Sequence, residues 1–151
     1  IMVEYLNNPT KTNKTIRMHS DGRIWLHSGD IGYMDNEGRL YPVNRLERMI
    51  IRGIDGFKIF PQKIEDVIST SNYVESCVVV GCSNDSGIYP KAYIVLKENV
   101  NEEINVILND IKEICKKELS IRAIPDEFEI ISEVPYTQMG KPDYKKLERK
   151  K

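Results

Sequence analysis

Met49-Ile50-Ile51 and Phe57-Lys58-Ile59-Phe60 flank the loop Arg52-Gly53-Ile54-Asp55-Gly56, and Pro61 follows at once. Two short β-prone runs around a glycine-bearing loop predict a pair of strands. Pro61 suits the first position of a helix, where its missing N–H needs no partner. Ile64, Val67 and Ile68 then recur at i, i+3 and i+4, one apolar helical face. Further on, residues 74–80 form a β-branched run fit for a buried strand, Asn84-Asp85-Ser86-Gly87 reads as a turn, and residues 91–97 as another strand. Ile104, Ile107, Leu108, Ile111, Ile114, Cys115 and Leu119 fall on one side of a helix of about four turns. Residues 128–131 follow as a short strand, and residues 144–149 as a brief closing helix. The order β-β-α-β-β-α-β-α predicts a compact α+β module of about 105 residues.

Toward the start the signals thin out. Residues 1–44 read as short extended pieces broken by turns at Asn7-Asn8-Pro9 and Ser20-Asp21-Gly22. Asn36-Glu37-Gly38 separates residues 31–34 from 39–43 in a hairpin-like pattern. No helix is expected here, and the segment is too poor in apolar residues to bury a core of its own. It reads as the edge of something larger. The chain starts Ile1-Met2 and lacks an initiator Met, which is expected of a processed or truncated product.

The 151 residues carry 22 Lys+Arg against 23 Asp+Glu, a net charge of −1. A balanced, 40% hydrophobic composition is that of a globular domain. It argues against a polyanion binder, which needs positive charge to release counterions, so no nucleic-acid partner is expected. No apolar run reaches the ~18–20 residues of a membrane span, and no secretory leader is visible. Three cysteines, Cys77, Cys82 and Cys115, are an odd number set among apolar neighbours. They are expected to be buried reduced thiols of a cytoplasmic protein. With only His19 and His27 besides, no metal site is expected.

Common chemical signatures are missing. Pro135 stands five residues before Gly140-Lys141, so there is no Walker A loop; G-x-G-x-x-G and H-E-x-x-H are absent as well. What remains is an ordered set. Trp25-Leu26-His27-Ser28-Gly29-Asp30 comes first, then Val43-Asn44-Arg45-Leu46-Glu47-Arg48-Met49-Ile50-Ile51-Arg52-Gly53. Gly56-Phe57-Lys58-Ile59-Phe60-Pro61-Gln62-Lys63-Ile64-Glu65 follows, and Pro135-Tyr136-Thr137-Gln138-Met139-Gly140-Lys141-Pro142-Asp143 closes the series. In this order the motifs resemble the carboxyl-terminal part of the adenylate-forming enzymes: acyl-CoA synthetases, peptide-synthetase adenylation domains and luciferase. The resemblance covers essentially the whole chain.

That resemblance implies an α+β small domain, a short mixed sheet flanked by about three helices. Residues 1–44 would be the last strands of the large AMP-binding domain. Residues 45–151 would be the mobile lid, with its hinge near 45–48. It implies a ligase that joins a carboxylic acid to AMP using ATP and Mg²⁺, the metal being held mainly by the large domain. The acyl group then passes to coenzyme A or to a carrier-protein phosphopantetheine. Asp30 would bind the ribose hydroxyls, since a carboxylate can accept from two at once; alone it reads as a turn carboxylate. Arg45 would add a planar fork of donors for ribose and phosphate oxygens; alone it reads as a surface arginine paired with Asp30 or Glu47. Asn44 precedes it where relatives often have Gly or Asp. Glu47 would be the hinge residue, a position where relatives often carry Asp or Lys. Lys141 would meet the charge that accumulates on the α-phosphate during adenylation, with Gly140 allowing close approach.

The loop 52–58, with Gly53 and Gly56, would line the path of the thiol arm, and it is about two residues longer than the common Arg-Gly-Gly form. Read alone it is an ordinary hairpin turn. The basic tail of Lys145, Lys146, Arg149, Lys150 and Lys151 reads as a solvated helix end. Without its large domain the chain is expected to be catalytically inactive. A stand-alone, non-catalytic interaction module is the reading from a different class.

Overall fold

The computed structural model describes residues 2–53 and 55–149; Ile54 of the 52–58 loop and the tail residues Lys150 and Lys151 lie outside the described residues. The chain divides into two compact units, residues 1–47 and 48–151.

The first unit holds a helix, α1 (Pro9–Thr15), and four short strands, β1 (Ile16–Met18), β2 (Ile24–Leu26), β3 (Asp30–Met34) and β4 (Leu40–Arg45). β1 pairs with β2, and β3 with β4, both antiparallel. The helix corrects the expectation of none in this segment. Its signals are local: the Asn8 side chain accepts from the Lys11 backbone N–H at 3.0 Å, and Pro9 opens the first turn. With seven residues and no buried face, it left no periodicity to read. No residue from Val3 to Arg45 is buried within this unit's surroundings, and Trp25, Leu26, Met34 and Leu40 are exposed. That agrees with a segment too short to enclose a core.

The second unit follows the expected order: β5 (Ile50–Ile51), β6 (Lys58–Ile59), α2 (Pro61–Ile68), β7 (Val74–Asn84), β8 (Gly87–Leu96), α3 (Ile104–Glu118), β9 (Glu127–Ile130) and α4 (Tyr144–Glu148). β5 and β6 form one antiparallel pair. β7 and β8 are antiparallel and β9 joins β8 in parallel, so the three-stranded sheet is mixed. β7 reads as a continuous apolar run because both of its faces are covered. Val79, Ala92 and Ile94 pack with Ile64, Ile68, Ile107, Ile111 and Cys115 of α2 and α3. Val78, Val80, Cys82 and Tyr93 face the other way, against Val134 and Leu147 of α4. Cys77 and Cys82, five residues apart, lie on opposite faces, as the period of two requires. All three cysteines are free. Burial pushes the Cys115 thiol up to about 11 and raises Cys77 and Cys82 as well, so all three stay protonated near neutral pH.

Two helix faces extend or trim the reading. Ile104 opens α3 but is exposed, and burial on this face begins at Ile107. On α2 the expected face holds, with Ile64 and Ile68 buried and Val67 partly buried against the same core, and it widens to include Pro61 and the carboxylate Glu65.

At the sheet edge, Lys91 bridges Glu127 and Glu129 of β9 at 2.9 and 3.1 Å. Its hydrogen bond, with that from Tyr89, holds the Glu127 carboxyl below the usual glutamate range. A depressed carboxylate stabilises the fold above its unfolded value of about 4.3, and that contribution is lost as pH falls through the lower folded value. Glu127→Gln is therefore expected to lower stability above about pH 5, where the carboxylate is ionised, and to change little at lower pH, which flattens the acid limb of a stability-versus-pH curve. An unchanged acid limb would refute this account.

Candidate functional site

In the first unit, Asp30 opens β3 and Arg45 closes β4, and the two stand opposite each other in register. Arg45 Nε lies 3.1 Å from Asp30 Oδ1, with both side chains about half exposed. Gly29, at φ +79°, makes the turn that aims Asp30, and its carbonyl accepts from the Leu46 N–H at 2.8 Å. The Ser28 hydroxyl accepts from the Asp30 N–H at 3.2 Å. Two strand ends thus present a carboxylate and a guanidinium side by side. Glu47 sits in a single 3₁₀ turn, Leu46–Arg48, directly before the boundary between the two units.

In the second unit, Lys141 sits on a tight turn whose two ends are anchored. Val134 and Leu147 are buried on either side of it. The Asp143 N–H donates to the Pro135 carbonyl at 2.7 Å, closing the base. The Thr137 N–H donates to the Lys141 carbonyl at 2.7 Å, and the Thr137 hydroxyl accepts from the Lys141 N–H at 3.3 Å. Gly140 adopts φ +72° with open space around it, so glycine is needed here for conformation and not for room. The Asp143 side chain then caps α4 through the Lys146 N–H at 3.1 Å. The Tyr93 hydroxyl, fully buried, donates to the Leu147 carbonyl at 3.1 Å and ties α4 to the sheet. Lys141 itself is exposed and forms no ion pair among the described residues.

The two glycines of the 52–58 loop serve different ends. Gly56, at φ +66°, turns the chain in open space. Gly53 lies against the β7–β8 turn: its N–H donates to the Ile88 carbonyl at 3.0 Å, and an added Cβ would stand 2.6 Å from the Ile88 nitrogen and 2.7 Å from Gly87 Cα. The space beside Gly53 is filled by this chain's own backbone. Gly53→Ala is expected to cost about 1–3 kcal/mol of overpacking or more, read as a lower urea midpoint; Gly56→Ala would act through its positive φ alone. An unaltered midpoint for Gly53→Ala would contradict the close packing.

Sequence reasoning missed the Arg48–Glu65 pair. Glu65 is 8% exposed, Arg48 Nη1 reaches its Oε2 at 3.1 Å, and the Val79 N–H donates to its Oε1 at 2.8 Å. The Arg48 guanidinium also lies 4.4 Å from the Tyr144 ring centre. The available signal was a carboxylate at a core position of α2, set among Pro61, Ile64 and Ile68. Among the described residues no three His, Cys, Asp or Glu side chains converge on a point. No helix of the described residues is long and apolar enough to cross a membrane.

A mixed sheet with helices on both faces is the architecture of a small α+β domain, the fold shared with adenylate-forming enzymes of known structure. Residues 63–141 match the AMP-binding enzyme C-terminal domain, and the chain belongs to that family. Lys141 closes the matched segment; Asp30, Arg45, Glu47, Gly53 and Gly56 precede it. The 2-succinylbenzoate–CoA ligase of Listeria innocua is 37% identical over 97% of this chain and 29% of its own length. Among solved structures, the o-succinylbenzoate CoA synthetase of Bacillus subtilis with its acyl-adenylate intermediate aligns with TM-score 0.75 and 29% identity, over all of this chain and 29% of that one. The ATP-bound RpMatB-BxBclM chimera B1 aligns with TM-score 0.82 and 25% identity, over 98% and 28%. The chain therefore spans under a third of the length of these relatives.

Proposed function

We propose that this chain is the carboxyl-terminal part of an AMP-forming acid–thiol ligase of the acyl-CoA synthetase kind, working in the cytoplasm. Residues 1–44 contribute the last strands of its AMP-binding domain, and residues 45–151 are its lid. The observation that carries the reading is the Lys141 turn, an exposed ammonium on a loop with both ends fixed, in a chain whose relatives are CoA ligases.

In the first half-reaction a carboxylate oxygen attacks the α-phosphorus of ATP and pyrophosphate leaves. Lys141 stabilises the negative charge gathering on the phosphoryl oxygens. Asp30 uses Oδ1 for Arg45, which leaves Oδ2 to accept from a ribose hydroxyl. Arg45 orients that carboxylate and adds donors for the nucleotide oxygens. Mg²⁺ neutralises phosphate charge when bound, and its ligands belong mainly to the large domain. In the second half-reaction a thiol attacks the acyl carbon and AMP leaves. The lid turns about Glu47, withdrawing Lys141 and presenting the 52–58 loop to the thiol arm.

The acceptor is coenzyme A in this reading, which the names of the relatives favour. Supplying the full-length enzyme, loaded with its acyl-adenylate, with free coenzyme A or with a holo-carrier protein tests it. AMP release is expected with coenzyme A. Release with the carrier alone would make the protein a carrier-loading enzyme. The isolated 151 residues are expected to catalyse neither half-reaction, and catalysis by them would overturn the division of labour.

A further inference from the structure

The loop 52–57 is clasped from two directions. Arg52, directly after β5, extends its guanidinium to the segment before β9: Nη1 donates to the Arg122 carbonyl at 3.0 Å and Nη2 to Asp126 Oδ1 at 2.6 Å. From that segment Arg122 reaches back, its Nε 3.4 Å from Asp55 Oδ2 and its guanidinium 5.6 Å from the Phe57 ring centre. Both sides of the clasp are anchored. The Asp126 N–H donates to the Pro90 carbonyl of β8 at 3.0 Å, and the Gly53 N–H to the Ile88 carbonyl of the same strand. Within the loop, Asp55 accepts from the Phe57 N–H at 3.1 Å, and the Arg52 N–H donates to the Phe57 carbonyl at 2.9 Å. The Arg52 side chain is 20% exposed, so its paired charge is partly shielded from water. A guanidinium fork holding two acceptors sets direction as well as distance. These bonds tie the described residues of the loop to the segment before β9 and to β8.

We infer that the Arg52–Asp126 latch, with Arg122–Asp55 as its counterpart, is a positioning device. It presets the 52–58 loop for the incoming thiol arm. The inference rests on the reading of that loop as the thiol-facing one. Neither Arg52 nor Asp126 touches the thiol; both act through the loop backbone. A loop that must be ordered at the moment of binding weakens the acceptor's hold, so the latch acts on the second half-reaction and not the first.

The test uses the full-length enzyme and coenzyme A, with ATP–pyrophosphate exchange reading adenylation and transfer from preformed acyl-AMP reading the second step. Arg52→Ala and Asp126→Asn are each expected to raise the KM for coenzyme A about tenfold, as befits loss of a charge-assisted pair, with exchange nearly unchanged. Arg52→Ala combined with Asp126→Asn should cost no more than Arg52→Ala alone, because that variant already removes the contact with Asp126 along with the one to the Arg122 carbonyl. Asp126→Asn keeps size and shape, so it separates the latch from general unfolding, with melting temperature measured alongside. An unchanged KM in both single variants, an equal loss of both half-reactions, or fully additive effects would overturn the latch. Gly56→Val, which cannot hold φ +66°, distorts the loop directly. If Gly56→Val cuts transfer and the latch variants do not, the latch alone falls. If Gly56→Val leaves transfer intact, the thiol-facing reading falls and the latch with it.

Discussion

Lys141→Ala in the full-length enzyme is expected to lower acyl-adenylate formation by ~10²–10³, the scale set by removing one preorganised oxyanion donor. One charge pair at ~4 Å and an effective dielectric of ~20 supplies of order 4 kcal/mol, enough for that factor. The substitution leaves the turn in place. Thr137 bonds the backbone carbonyl and N–H of residue 141, which alanine retains, and the anchors at Pro135–Asp143 and Tyr93–Leu147 lie outside it. Since the side chain is exposed, stability should be unaffected. Transfer from preformed acyl-AMP should persist, because the ammonium acts where phosphoryl charge builds up and that charge is not remade in the second step. Equal loss in the two half-reactions would show that Lys141 serves binding or folding in general, and the assignment would be abandoned.

The largest stability effect is expected at Glu65. Glu65→Ala strips Arg48 of its carboxylate and the Val79 N–H of its acceptor. Breaking a buried ion pair from one side typically costs ~3–5 kcal/mol, since the remaining charge stays where water cannot solvate it. Arg48 is 18% exposed at its side chain and lies against Tyr144, so relaxation into solvent is restricted. Denaturant unfolding of the chain should show the loss as a lower midpoint. Glu65→Ala with Arg48→Met is expected to recover part of it, because no uncompensated charge is left behind. A loss under ~1 kcal/mol would place the pair in the class of solvent-screened bridges instead.

Several features of the fold were plain in the chain itself. β7 carries a β-branched run, β8 follows the turn at Asp85-Ser86 as a second strand, and α3 carries Ile107, Ile111 and Cys115 at helical spacing. Such elements announce themselves because each buries a long periodic face. α1 did not, having seven residues and no face to bury, so its asparagine cap and proline looked like a turn. Ile104 fitted the α3 pattern yet lies outside the core, because spacing states which face a residue shares and not how much of that face is covered.

Candidate site residues divide along the same line. Motif order drew attention to Asp30, Arg45 and Lys141, and residue chemistry stated what a carboxylate, a guanidinium and an ammonium can do. The tertiary structure alone decided which groups meet. It joined Asp30 to Arg45 across two strand ends, Arg52 to Asp126 across 74 residues, and Arg48 to Glu65 through the core side of α2. It also gave Gly53 and Gly56 separate reasons to be glycine, one steric and one conformational. Periodicity and turn chemistry are local, carried by residues a few positions apart, so they can be read along the chain. Ion pairs and close backbone approaches depend on where distant segments are brought together, and only the packed sheet and its helices determine that.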